Sequence, residues 1–479
     1  MHVRPEKQQA TAPGLVRHLQ CIVGEDAVLY KPFDLMVYEC DAYTIEKAAP
    51  QAVVFPTETE QVQQVVQLCN RLGIPFVPRG AGTGLSGGAL AVKGGVVICT
   101  SRMTRIIEVD IPNRRITAQA GAINLDLTKA VKAYGYHYAP DPSSQGVSTI
   151  GGNVAENAGG PHTLKYGVTV NHVTGLEVVL PDGEVAWFGG KCEESLGYDL
   201  VGVFTGSEGT LGVLTTVIAK LTPLPQGWRT LLAVYPRLED ACQTVSDIIA
   251  AGIVPAAMEM IDRTTLQAVE EAFHFGFPQD ADAVLVIELD GLEAALDRQL
   301  QRVIDICHAH HAEQIRLAHD EDERTRLWTA RKKAVGSLGR LAPSTVTQDT
   351  VVPRSKLPQA LRSIMQIGQE YGVRIANVFH AGDGSLHPIV LFDERDAEQV
   401  RRVRAANDAI VRLCIQMGGS ITGEHGVGVE KAHYMRLLYN DSDLKAMQKV
   451  HNAFDPLDLC NPDKILPCND SGQQSNLPR

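Results

Sequence analysis

The sequence contains no C-x-x-C pair, although ten cysteines are scattered through it, at positions 21, 40, 69, 99, 192, 242, 307, 414, 460 and 468. That scatter argues against an iron–sulfur cluster or a cysteine zinc site and points to reduced, mostly buried thiols. No uninterrupted apolar run approaches the length that spans a bilayer, so no integral membrane segment is expected. Residues 1–20 are basic but lack the apolar centre of a secretory signal. Positive charge is not in excess either. The formal net charge is -12, which argues against nucleic acid as a partner. Internal repeats are absent. These absences leave a cytoplasmic globular chain as the expectation.

With 479 residues, 44% hydrophobic and 21% charged, the chain has material for two or three cored domains. Its densest feature is Val77-Pro78-Arg79-Gly80-Ala81-Gly82-Thr83-Gly84-Leu85-Ser86-Gly87-Gly88, which packs five glycines into nine residues after an apolar run. Such a loop lets a diphosphate approach backbone N–H groups. Residues 82–87 match the dinucleotide fingerprint G-x-G-x-x-G formally. That fingerprint needs a helix to follow, whereas residues 89–95 read as loop and 96–99 as a strand. A Rossmann site is therefore rejected. From the loop alone, a phosphate cradle and a ligand-free turn stay equally open.

Residues 52–56 read as a strand and 57–73 as a helix with an acidic first turn and Val62, Val65, Val66 and Cys69 at helical spacing. Residues 74–77 then deliver the glycine loop. Residues 140–160, rich in small and amide side chains, read as one long irregular functional stretch. Residues 173–188 form a hairpin about Pro181-Asp182-Gly183. Beyond Pro223-Leu224-Pro225, strands and helices alternate as in an antiparallel sheet covered by helices. The expected division is a first domain at 1–222 with a helical lead-in, a second at 223–415, a C-terminal segment at 416–468 and a disordered polar tail at 469–479.

Two stretches carry metal-type chemistry. In Phe379-His380-Ala381-Gly382-Asp383-Gly384-Ser385-Leu386-His387 a tight Gly-Asp-Gly turn would set His380 and His387 face to face as a divalent-metal pair. The alternative is two unrelated histidines on the arms of a turn. Thr422-Gly423-Glu424-His425-Gly426 offers a carboxylate to complete the set and a histidine whose ordinary pKa suits a general base; the alternative is an exposed polar turn. Arg331 is a carboxylate-binding candidate, or else pairs with Asp320, Glu321 or Glu323 on a solvated helix face.

Taken together, residues 78–88, 151–160, 206–213, 380–387, 423–428 and Asn461-Pro462 resemble the FAD-linked 2-hydroxy-acid dehydrogenases. This is the glycolate oxidase and D-lactate dehydrogenase family of the vanillyl-alcohol-oxidase-type (PCMH) flavoprotein superfamily. The resemblance implies an α+β fold: a PCMH-type FAD-binding domain of two α+β subdomains, a ferredoxin-like antiparallel-sheet cap and a C-terminal helical segment. It implies FAD held by Arg79, Gly80, Ala81, Gly82, Thr83, Gly84, Leu85, Gly87 and Gly88 at the diphosphate. Pro140, Ser143, Gly151, Gly152, Asn153, Asn157, Gly160, Tyr166 and Gly167 would lie at the flavin, Glu208, Gly209, Gly212 and Val213 at the adenosine, and Asn461 near the isoalloxazine. No histidine stands in the glycine loop, so the FAD is expected to be non-covalent. By the same resemblance His380, His387 and Glu424 ligate a divalent metal (Zn, Mn or Fe), His425 is the base and Arg331 grips the substrate carboxylate. Ser385, Thr347 and Ile389 depart from the pattern of the 2-hydroxyglutarate enzymes, which favours a small monocarboxylate such as glycolate or D-lactate. The implied reaction passes a hydride to flavin N5 and electrons to an external acceptor, with an FAD-binding and an iron–sulfur subunit as partners and peripheral attachment at a membrane through them. Two alternatives are a non-catalytic flavin-binding electron-transfer subunit and a D-2-hydroxyglutarate-type dehydrogenase.

Overall fold

A computed structural model describes residues 14–192, 197–278 and 280–467. The expected tail at 469–479 and the start of the lead-in lie outside the described residues.

The first layer is a four-stranded sheet of β1 (Val28–Leu29), β2 (Ala52–Val54), β3 (Phe76–Arg79) and β4 (Val96–Cys99), in the order β1-β2-β4-β3. Helix α1 (Thr59–Leu72) crosses from β2 to β3, burying Val62, Val65, Val66, Leu68 and Cys69 on one face. The crossover leaves a gap between β2 and β3, and β4 fills it, parallel to both. The glycine loop thus leaves the end of β3 and returns as a strand without an intervening helix, as its sequence indicates.

The second layer is an antiparallel sheet of β5 (Ile106–Asp110), β6 (Arg115–Gln119), β7 (Val173–Val179), β8 (Val185–Gly189) and β9 (Val213–Lys220), ordered β5-β6-β9-β7-β8. One expectation fails here. The stretch 140–160 is not irregular throughout, because Ile150–Glu156 forms a helix, α2. Its glycines and asparagine are poor helix formers. Thr149 caps it, accepting the N–H of Gly152 at 3.2 Å, and Ile150 and Val154 anchor it in the core.

The third layer is the largest. Strands β10 (Gly227–Tyr235), β11 (Ala257–Asp262), β12 (Ala283–Gly291), β13 (Gln314–Leu317), β14 (Ser344–Thr347), β15 (Arg374–His380) and β16 (Pro388–Phe392) make one antiparallel sheet, ordered β13-β10-β12-β11-β15-β16-β14. Both faces are covered, as the alternation along β10 records. Leu231, Ala233 and Tyr235 join the core beneath Leu238–Ala250 and Glu293–Ala309, whereas Leu232 and Val234 pack with Leu327, Ala330 and Ala334 of α3 (Glu321–Ser337). The chain then returns to the first layer. Cys460 bridges Phe76 of β3 in parallel, and the Asn461 N–H donates to the Phe76 carbonyl at 2.8 Å.

Candidate active site

The end of β15 carries His380, and His387 immediately precedes β16. The link between them is not the tight hairpin expected. The ladder pairs Asn377 with Pro388, and inside the wide loop so formed Ser385–Leu386 pairs instead with Thr350–Val351. Asp383 Oδ1 accepts the N–H of Ser385 at 2.9 Å and shapes that detour. The two imidazoles still meet, with ring centroids 5.3 Å apart. Glu424 Oε1 comes within 3.2 Å of His380 Nε2 and 3.6 Å of His387 Nε2. The ligand-type atoms of His380, His387 and Glu424 all lie within 4.8 Å of one another. His425 stacks on His387 at 5.1 Å.

Buried carboxylates hold this cluster in place. Glu259, fully buried on β11, accepts from His380 Nδ1 at 2.7 Å and pairs with Arg331 Nη2 at 2.6 Å. Nε2, on the other side of the ring, faces Glu424. Arg331 is therefore buried and committed to Glu259, not spread on a solvated face with its acidic neighbours. Asp349 Oδ2 accepts from Thr422 Oγ1 at 2.6 Å and from the N–H groups of Gly423, Glu424 and His425 at 2.8, 3.1 and 2.9 Å. One carboxylate thus fixes the loop that carries Glu424 and His425. Lys431, wholly buried, donates to the Asp349 carbonyl at 2.9 Å.

Charge sets the protonation states. Burial pushes the Glu424 carboxyl up, but His380, His387 and His425 outweigh it and bring it down to about 2. Burial likewise raises Glu259 and Asp349, and in each the adjacent cationic groups win, leaving Asp349 well below the usual carboxylate range. Burial lowers His380, yet Glu259 and Glu424 carry it well above the ordinary imidazole value. At His425 burial dominates and lowers the pKa to about 4, so the ring is neutral near pH 7.

A cavity of about 350 Å³ joins this cluster to the glycine loop. Of the residues expected at a cofactor, Arg79, Gly80, Ala81, Gly82, Thr83, Gly84, Leu85, Gly88, Ser143, Gly151, Gly152, Asn153, Glu208, Gly209, Gly212 and Val213 line it, together with Arg331, His380, His387, Glu424 and His425. Gly87, Pro140, Asn157, Gly160, Tyr166, Gly167 and Asn461 do not. The Pro140 carbonyl accepts from Asn124, Asn157 caps α2 and accepts the Val170 N–H, and Tyr166 donates to Asp290. Asn461 Nδ2 donates to the carbonyls of Gly88 and Glu208, both at 2.8 Å, so it braces the cavity wall from behind. The Glu208 side chain faces the C-terminal segment, accepting the N–H groups of Val427 and Gly428.

The sequence reading missed Glu259 and Asp349. Glu259 did leave a signal, an acid set between two methionines inside the apolar strand Ala257–Asp262. Asp349 left none. The cavity also suits the groups that the resemblance implies. Arg79 Nη1, Ser148 Oγ and Asn153 Nδ2 on its wall are buried without hydrogen-bond partners among the described residues, which fits a cofactor rich in oxygen acceptors. Two histidines and a carboxylate whose ligand-type atoms lie within 4.8 Å of one another fit a divalent cation.

The mixed α+β fold thus opens its glycine-loop cavity onto a buried histidine–carboxylate cluster. Residues 50–189 match the family described as FAD binding domain, and residues 224–465 match FAD linked oxidases, C-terminal domain. The glycolate oxidase subunit GlcD of Escherichia coli (strain K12) is 44% identical over 440 residues, covering 92% of this chain and 88% of that protein. A D-lactate dehydrogenase of Anaerostipes hadrus is 32% identical over 428 residues, covering 88% and 90%. The solved structure of p-cresol methylhydroxylase with substrate bound shares the fold at a TM-score of 0.79 and 18% identity, covering 97% of this chain and 99% of that one. The chain belongs to the FAD-linked oxidase family and is an FAD-linked oxidoreductase of the glycolate oxidase and D-lactate dehydrogenase type.

Proposed function

We propose that the protein oxidises a small 2-hydroxy acid, glycolate or D-lactate, to the 2-keto acid. The observation that carries this reading is the convergence of Arg331, His380, His387, Glu424 and His425 on the cavity whose other wall is the glycine loop. Bound FAD, non-covalent because the loop offers no histidine, supplies the two-electron acceptor for the hydrogen on the α-carbon. His380, His387 and Glu424 would hold a divalent ion, which would supply Lewis acidity for the substrate hydroxyl. Arg331 holds the substrate carboxylate, and Glu259 fixes its guanidinium so that the α-carbon is presented in one orientation. His425 takes the hydroxyl proton on its imidazole, whose Nδ1 has no partner. Electrons leave to an acceptor outside the chain. The GlcD relatives are named as subunits of glycolate oxidase, and we assign this chain the corresponding place in an assembly with an iron–sulfur partner. Among the described residues no helix is long and apolar enough to cross a membrane.

A second reading, a dicarboxylic 2-hydroxy acid, has one observation in its favour: Lys332 also lines the cavity, beside Arg331. Anaerobic titration of the flavin absorbance with glycolate, D- and L-lactate and D-2-hydroxyglutarate separates the two. Glycolate or D-lactate is expected to bleach the flavin, and His380→Ala to abolish bleaching while FAD stays bound. Metal-replete protein that retains FAD and is bleached by no 2-hydroxy acid sinks the proposal.

A further inference from the structure

Three carboxyl groups converge beside the glycine loop: Asp41, Glu156 and Glu208, all of which line the cavity. Two of them are supplied with donors. Glu208 accepts the N–H groups of Val427 at 2.6 Å and Gly428 at 2.7 Å. Asp41 accepts those of Tyr43 at 2.9 Å and Ala89 at 3.4 Å. Glu156, the last residue of α2, is different: its Oε2 is buried and has no hydrogen-bond partner among the described residues. Its carboxyl occupies a slot that glycines leave open. A Cβ on Gly88 would stand 2.8 Å from Oε1, and one on Gly426 would stand 2.5 Å from Oε2. The lysines that act on Glu208 are engaged elsewhere, Lys464 with the Leu90 carbonyl and Lys431 with the Asp349 carbonyl.

Carboxyl groups this close do not all ionise. Burial raises Asp41 and Glu208 as well, but the N–H groups each accepts oppose that rise, so the third carboxyl, which has no such donors, is the one that keeps its proton. Burial, then Glu208 and then Asp41, all push Glu156 in that direction, well above the usual carboxylate range. A protonated carboxyl buried in a cavity wall has an O–H to donate and needs an acceptor. The cofactor is rich in oxygen acceptors, and an ionised carboxylate in this slot would repel its diphosphate. We propose that Glu156 holds FAD as a neutral carboxylic acid, donating its O–H to an oxygen of the cofactor. This role rests on the reading of the cavity as the FAD site.

The test is FAD binding to apoprotein, followed by quenching of flavin fluorescence, for the wild type, Glu156→Gln and Glu156→Ala, with circular dichroism reporting the fold of each. Gln is a neutral donor of the same shape, so its dissociation constant is expected within about threefold of wild type, while Ala weakens FAD by about tenfold or more. Gln binding as poorly as Ala would mean that the charge is required, and Ala binding as tightly as wild type would mean that there is no contact; either overturns the proposal. A well-folded wild type that binds no FAD overturns the FAD reading itself, a result distinguishable from the other two.

Discussion

Glu259 sets the geometry of the site at the scale of a single residue. Its two oxygens orient two groups of different function, the His380 ring and the Arg331 guanidinium, from a position with no solvent access. An acid buried on its own would be a liability of several kcal/mol. Here its charge is matched on both sides, and removing it leaves two buried donors facing a weaker acceptor. Glu259→Gln preserves volume and removes the charge. It is expected to weaken metal binding by about 10–100-fold, measured by chelator competition, and to raise KM for the 2-hydroxy acid because Arg331 loses its anchor. Unchanged metal affinity together with unchanged KM would show that the carboxylate does not orient the site. Arg331→Lys tests the other end of the pair. A point charge cannot replace a planar fork, so KM should rise about tenfold or more in steady-state assays with FAD content unchanged.

Between elements, the segment after α2 is stitched to the large sheet. His162 Nδ1 lies 2.8 Å from Asp141 Oδ2, its Nε2 is 3.6 Å from Glu288 on β12, and its ring packs 5.3 Å from Trp328 on α3. Lys165 and Tyr166 reach Asp290 on the same strand. Burial lowers the His162 pKa, but Asp141 and Glu288 outweigh it and raise it from 6.5 to about 10. A base raised on folding contributes stability that is fully present below its unfolded pKa and is lost as pH rises through its folded pKa. Stability to urea should therefore fall between about pH 6.5 and pH 10, by on the order of a few kcal/mol, and His162→Gln should flatten that slope. A wild-type slope retained in the variant would assign the effect to other groups. The same scale explains what the sequence made legible. Helix α1 and the flanking strands announce themselves by periodicity, His380 and His387 by the Gly-Asp-Gly turn between them, and Glu424 and His425 by the glycines on either side of the pair. Helix α2 was hidden by its glycines and is held by a cap at each end. The pairing of Glu259 was hidden because its partner His380 is 121 residues away, a distance that no local pattern spans.

Across the whole molecule, the cavity draws its walls from all three layers and from the C-terminal segment, so whatever fills it touches parts far apart in the chain. Asn461 couples two of those walls without touching the cavity. Its buried amide donates to the Gly88 carbonyl in the glycine loop and to the Glu208 carbonyl between α2 and β9, while its own backbone pairs with Phe76 at the base of that loop. Asn461→Ala leaves two buried carbonyls without that donor, at a cost of about 1–3 kcal/mol. The loss falls on the cradle and not on the chemistry. Apoprotein of the variant should melt a few degrees below wild type, on the order of ~2–4 °C per kcal/mol or less for a chain of this size. Added FAD binds only the folded state, so it should raise the melting temperature of both proteins, by about 2.7 kcal/mol of stabilisation at a hundredfold excess over Kd. The variant should gain less at equal FAD because its loop must be ordered by the ligand itself. With saturating FAD, flavin reduction by the 2-hydroxy acid should return close to the wild-type rate, since Arg331, His380, His387, Glu424 and His425 are untouched. A variant with wild-type FAD affinity would show that the returning C-terminal segment stabilises the fold without shaping the cofactor cradle.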